Sequence, residues 1–201
     1  MITGSLLAES FVTLFVIMDP IGTIPIFLSL TSGRSAATAR KAAWQAVTVA
    51  FAVIAVFAFF GQAILHYLGI SIAALQCSGG LLLLLVALEL LTGNQKEPTA
   101  AAGTNIALVP LGTPLLAGPG AIVATMVFAR RVHGVDDFLA VAIGFIGVHL
   151  VLWLVMRFSL PILRLIKDSG VMLVTRIAGL LLAAIAVQMV ADAVREFVTQ
   201  R

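Results

Sequence analysis

The stretch FVIMDPIGTIPIFLSL, Phe15–Leu30, decides the fold. It is apolar almost throughout, yet one acid, Asp19, sits inside it, followed closely by Pro20, Gly22 and Pro25. Proline and glycine disfavour a helix interior, and a carboxylate in a greasy run is costly to bury. A bilayer-length run that carries all four reads as a transmembrane helix broken near mid-membrane. Asp19 precedes a proline and is pushed toward extended geometry, and Gly22 permits a reversal. The expectation is an unwound stretch with freed carbonyls and amides, to which Thr23 adds a hydroxyl.

The rest of the chain supports the bilayer. It has 201 residues, 61% hydrophobic and 10% charged, with mean hydropathy +1.15. Soluble domains carry about a quarter charged residues. The net charge of +3 does not point to nucleic acid, because the basic residues lie between apolar runs and no basic stripe with interleaved aromatics exists. A single cysteine, Cys77, leaves no internal disulfide. The first residues lack the basic region of a cleaved signal, so the first apolar segment is expected to be retained.

Taking about 20 apolar residues as one span, six candidates follow in order: 6–30, 42–65, 70–91, 105–129, 138–156 and 171–191. A polar segment, 93–104, separates residues 1–92 from 105–201 as a linker. All of it reads as a single transmembrane domain. One set of loops holds Arg34, Arg40, Lys41, Lys96, Arg157, Arg164, Lys167 and Arg176; the opposite set holds only Arg130, Arg131, Arg195 and Arg201. The excess marks the cytoplasmic side and places both termini outside. Trp44 and Trp153 fall near the inner ends of their helices, as an aromatic belt would have them.

The two halves resemble each other. DPIGTIP at 19–25 returns as VPLGTPL at 109–115, an offset of 90, and GLLLLLVALEL at 80–90 returns as GLLLAAIAVQM at 179–189, an offset of 99. Three helices per copy is an odd number, so the second copy must enter the membrane from the opposite side. The fold class expected is therefore an all-α polytopic membrane protein of two inverted three-helix repeats, with helices 1 and 4 broken. Paired broken segments of this kind mark the substrate site of many secondary transporters.

Irregular backbone survives in hydrocarbon only where protein or water satisfies it. The second broken segment concentrates Gly112, Thr113, Pro114, Gly118, Pro119 and Gly120. Pro119 is placed to open a half-helix, whose free amides and positive dipole end suit a carboxylate. Asp19 and freed carbonyls suit an ammonium group, so together the segments suit a small zwitterion. Kinks that serve only packing are the competing explanation. Asp19, Glu89 and His149 are the candidates for coupling to a proton or sodium ion or for gating, with an interfacial role for Glu89 and a core role for His149 as alternatives. Gln45 and Gln188 are candidates for interhelical hydrogen bonds, and Gly144 and Gly147 for close helix contact. No HExxH, GxSxG or paired-acid motif occurs, and the three histidines lie far apart. Neither an enzyme, nor a metal site, nor a bound cofactor is expected.

The segments MDPIGTIPIFLSLT and PLGTPLLAGPGAIVATMVF, within a six-helix chain of this length, resemble the MarC family of bacterial inner-membrane proteins. The resemblance covers essentially the whole chain and implies kinship with LysE-type amino-acid exporters. It places the family's motifs on Asp19, Pro20, Gly22 and Pro25, and on Pro114, Gly118, Pro119 and Gly120. Position 23 is threonine where the resemblance leads one to expect asparagine. The function implied is export of a small neutral amino acid by alternating access. Export of another solute or drug, and a non-transporting scaffold, stand as alternatives. Small-residue helix faces leave homo-oligomerisation open.

Overall fold

The computed structural model describes residues 4–31, 33–93 and 116–199. Among these residues every regular element is a helix: α1 (Gly4–Met18), α2 (Thr23–Thr31), α3 (Ala36–Leu68), α4 (Ile72–Thr92), α5 (Pro119–Arg130), α6 (Val135–Arg157) and α7 (Ser159–Thr199). Four are long and apolar enough to cross a membrane: α3, α4, α6 and α7 from Ser169 onward. The 15 residues of α1 reach only about 22 Å at 1.5 Å each, short of a ~30 Å hydrocarbon layer. Phe59, Phe60, Leu85, Ile146 and Leu180 point outward, the side-chain distribution of helices whose solvent is hydrocarbon.

Local chemistry sets the element ends. Ser35 and Ser71 cap α3 and α4, their hydroxyls accepting from the amides of Thr38 and Ala74 at 3.2 and 3.1 Å. Gly69 and Gly93 end the same helices at φ 66° and 73°, left-handed geometry that suits glycine. The long helices overrun the apolar windows at both ends, because α3 continues helical through Arg40 and Lys41 and α7 through Arg195 and Glu196. Inside α7, Lys167 leaves helical geometry (φ 61°, ψ 167°) and detaches the turns after Ser159 from the long apolar part. Of the fourth expected span only residues 116–129 are described; 105–115 and linker positions 94–104 lie outside the described residues.

Three apolar clusters organise the interior. The largest joins Leu14 and Met18 of α1, Phe27 of α2, an alanine stripe of α3 (Ala43, Ala46, Ala50), Ala121 of α5 and Val148 and Leu152 of α6. A second joins α4 and α7 through Leu83, Ala87, Leu182 and Ala186. A third, of Leu6, Phe128, Ala140 and Val141, closes the end where α1 begins. Small residues permit the closest approaches: a Cβ on Gly144 would stand 2.5 Å from Ser10 Oγ of α1.

The contact between α4 and α7 is reciprocal. A Cβ on Gly80 would stand 2.8 Å from the Ala186 carbonyl oxygen, 2.8 Å from Val190 Cγ2 and 3.3 Å from Met189 Cβ. A Cβ on Gly179 would meet Leu90 Cβ at 3.1 Å, Leu91 Cγ at 3.2 Å and the Ala87 carbonyl oxygen at 3.4 Å. Every partner of Gly80 lies 99 positions after a partner of Gly179, the offset that separates the two glycines themselves. Residue numbers rise on one helix as they fall on the other, so the pair is antiparallel. Gln188 does not join two helices: its Nε2 donates to Asp192 Oδ1 (2.8 Å) one turn along α7, on the exposed face. The Asp-to-amide spacing, four residues apart, favours that local bond.

Candidate functional site at the helix break

The chain leaves α1 after Met18 and turns at Asp19, whose φ of 37° is left-handed. Aspartate is among the few residues that tolerate this region. The Asp19 amide still donates to the Phe15 carbonyl (3.1 Å), closing α1. Its own carbonyl accepts from both the amide (3.1 Å) and the hydroxyl (2.9 Å) of Thr23. Its carboxylate Oδ1 accepts from the Gly22 amide at 3.1 Å. Asp19 therefore caps α2, with Pro20 next in sequence, where a missing N–H costs nothing. The break is one compact turn and frees fewer backbone groups than an unwound stretch would. Pro20 is fully buried, as are Gly22 and Thr23, whereas Pro25 is exposed.

Gly22 is the position where a side chain would not fit. A Cβ there would overlap Asp19 Oδ2 and stand 3.2 Å from Thr175 Oγ1 of α7. The second carboxylate oxygen and a hydroxyl from the other half of the chain thus converge above Gly22. Beside this point a cleft of about 240 Å³ runs between α2, α4 and α7, lined by Pro25, Leu90, Val171, Met172, Thr175 and Arg176 among others. The cleft itself offers the Thr175 hydroxyl and the Arg176 guanidinium in an otherwise apolar lining, and Asp19 approaches Thr175 beside it rather than lining it.

The second break is described from Leu116 on. Gly118 stands before α5 with no side-chain cap, and Pro119 occupies the first turn. The Ile122 amide reaches the Gly118 carbonyl at 3.2 Å. Leu116, Ala117 and Ala121 are buried in the same cluster as Met18, which places the start of α5 inside the protein near the end of α1. Gly120 has a packing duty: a Cβ there would overlap Leu83 Cδ2 of α4. Gly112, Thr113 and Pro114 lie outside the described residues.

Glu89 and His149 stand apart from this turn. Glu89 is exposed on α4. His149 is 3% exposed, with Nδ1 2.8 Å from the Phe145 carbonyl and its ring against Phe51 and Phe145. Because a carbonyl only accepts, Nδ1 carries the proton and Nε2 is a bare acceptor, buried without a partner among the described residues. At the end where α1 begins, Arg131 donates to both oxygens of Glu9 (2.6 and 3.0 Å), fastening the start of α1 to the end of α5. Thr175 and Arg176 were not legible as site residues. The signal in the sequence is a hydroxyl residue four positions before Gly179, just ahead of the string that matches residues 80–90.

These features define an integral multi-pass membrane protein of apolar helices, with a half-buried acid capping a helix break. The chain belongs to the MarC family of integral membrane proteins, whose family model matches residues 4–198. It is 37% identical over 193 residues to a UPF0056 membrane protein of Methanocaldococcus jannaschii, covering 92% of this chain and 94% of the relative. It is 31% identical to the UPF0056 membrane protein YhcE of Escherichia coli, covering 92% and 90%, and 31% identical to YvbG of Bacillus subtilis, covering 92% and 91%. No solved structure matches the chain.

Proposed function

We propose that this protein is a secondary transporter that exports small neutral amino acids across the bacterial inner membrane by alternating access. The observation that carries the reading is the convergence of Asp19 Oδ2 and Thr175 Oγ1 above Gly22, beside an open cleft. The substrate ammonium is received by Asp19 and Thr175. Its carboxylate is received by Arg176 or by the uncapped amides at the start of α5. Asp19 couples movement to a proton or sodium ion.

Six spans serve this mechanism: α1 with α2 as the first, residues 105–130 as the fourth, and α3, α4, α6 and α7 as the others. The reciprocal antiparallel contacts of Gly80 and Gly179 support an inverted duplication, since they relate α4 to α7 by a two-fold axis across the helices. With the basic loops inside, the cleft opens to the cytoplasm while the Glu9–Arg131 pair closes the outer end. A non-transporting scaffold is favoured by one observation, that the Asp19 carboxylate already serves as a cap.

Substrate protection separates the two. In a Cys77→Ser background, Thr175→Cys is reacted with a maleimide in the presence of rising alanine. Saturable slowing of the reaction is expected of the transporter. A rate indifferent to alanine, glycine, serine and threonine would refute it.

A further inference from the structure

A second cavity, of about 660 Å³, lies where the end of α2, the start of α3 and the junction of α6 and α7 meet. Arg34, Arg40 and Arg157 line it together with Thr31 and Ser159, and no carboxylate is among its described lining residues. Three guanidiniums facing one space repel one another unless an anion enters. Arg157 lies over the rings of Trp153 (5.8 Å) and Phe158 (5.7 Å). A cation–π approach of that kind holds the guanidinium beside the rings and leaves its N–H groups to donate.

Two hydroxyl residues also border the cavity: Ser159, 4% exposed, and Thr31, whose hydroxyl donates to the Phe27 carbonyl at 2.7 Å. The first turn of α7 opens at Ser159 on the same wall; Pro161 has no N–H and the Ile162 amide donates to the Phe158 carbonyl at 3.0 Å. At its outer rim, Phe158 and Leu160 are about half exposed, at 48% and 56%.

We propose that this cavity binds a phosphate-bearing anion, held by Arg34, Arg40, Arg157 and the Ser159 hydroxyl. The apolar rim and the location at a membrane-facing end fit the phosphodiester of an anionic glycerophospholipid, whose acyl chains would lie against Phe158 and Leu160. Basic pockets between transmembrane helices are suited to such head groups because charge attraction there is little screened.

The test follows thermal unfolding of the purified protein in dodecyl maltoside. It is titrated separately with short-chain phosphatidylglycerol, short-chain phosphatidylcholine and inorganic phosphate. Phosphatidylglycerol is expected to raise Tm saturably while phosphatidylcholine does not, and each arginine changed to glutamine weakens the apparent affinity about fivefold. The triple variant R34Q/R40Q/R157Q loses the response, whereas R130Q/R131Q/R195Q, equal in charge but outside the cavity lining, keeps it. A saturable response to phosphate alone, lost in the triple variant, also supports the cavity and names a soluble anion as its source. An equal response to phosphatidylglycerol and phosphatidylcholine overturns the proposal, as does a triple variant that responds like wild type. If the triple variant does not fold, R40Q, at an exposed position in the first turns of α3, makes the same comparison.

Discussion

Asp19 holds two duties that substitution can separate. Its Oδ1 accepts the Gly22 amide, a helix cap, and its φ of 37° is left-handed. Asparagine keeps a side-chain oxygen and tolerates that backbone, so Asp19→Asn preserves the cap while removing the charge. Alanine does neither. Loss of a cap costs about 1 kcal/mol, within a range of roughly 0.5–2. The left-handed residue adds about 1 kcal/mol for a side chain with no local hydrogen bond. Asp19→Ala should therefore lower stability by about 2 kcal/mol, which for a chain of this size is a fall in Tm of roughly 4–8 °C. Asp19→Asn should fall within about 0.5 kcal/mol of wild type, because the two residues cap almost equally well. Thermal unfolding of the three proteins in one detergent reads both numbers. If Asp19→Asn is destabilised as much as Asp19→Ala, the capping argument fails and the charge itself holds the turn.

Other perturbations test the packing. Gly80→Ala forces a Cβ against the Ala186 backbone at 2.8 Å, whereas Gly179→Ala meets nothing nearer than 3.1 Å. The former should cost about 1–3 kcal/mol in denaturant unfolding and the latter clearly less. His149→Phe removes an unpaired buried nitrogen from a site already lined by Phe51 and Phe145. Its stability should stay within about 1 kcal/mol of wild type, since losing an unsatisfied polar atom offsets imperfect packing. The variant also gives up the Nδ1 bond to the Phe145 carbonyl, so only a loss well beyond the roughly 1 kcal/mol of one hydrogen bond would show that Nε2 has a partner. Arg131→Gln breaks an ion pair whose side chains are about half exposed (48% and 49%), so it should cost less than about 1 kcal/mol. Added salt should shrink that difference further.

Much of this architecture could be read from residue order alone. The break at Asp19–Gly22 is legible because Asp19, Pro20 and Gly22 all disfavour a helix interior in hydrocarbon; Pro25 marks no break and sits in the first turn of α2, where proline is tolerated. What the break does with its groups was not foreseen, although an aspartate followed by proline is also a helix-start signature. Capping of α2 was the outcome, in place of an open run of free carbonyls. The helix ends were placed short because arginines and lysines remain good helix formers beyond the bilayer, as at Arg40, Lys41 and Arg195. The departure at Lys167 has no local cause in sequence, since neither proline nor glycine occupies that position. Thr175 reaches Gly22 only through tertiary packing, across more than 150 positions, and no short-range pattern encodes such a contact. The matched leucine-rich strings, by contrast, take on physical meaning: their glycines are two points of close approach between α4 and α7.

The central claim is that the protein carries small neutral amino acids through a site at the first helix break. Counterflow of labelled alanine into proteoliposomes preloaded with unlabelled alanine tests it most directly, wild type beside Asp19→Asn. The account predicts saturable uptake by the wild type and none by the variant, with the variant still inserted and folded. Absence of uptake in the wild type for alanine, glycine, serine and threonine alike would contradict the substrate class, and full uptake by Asp19→Asn would remove the carboxylate from the mechanism.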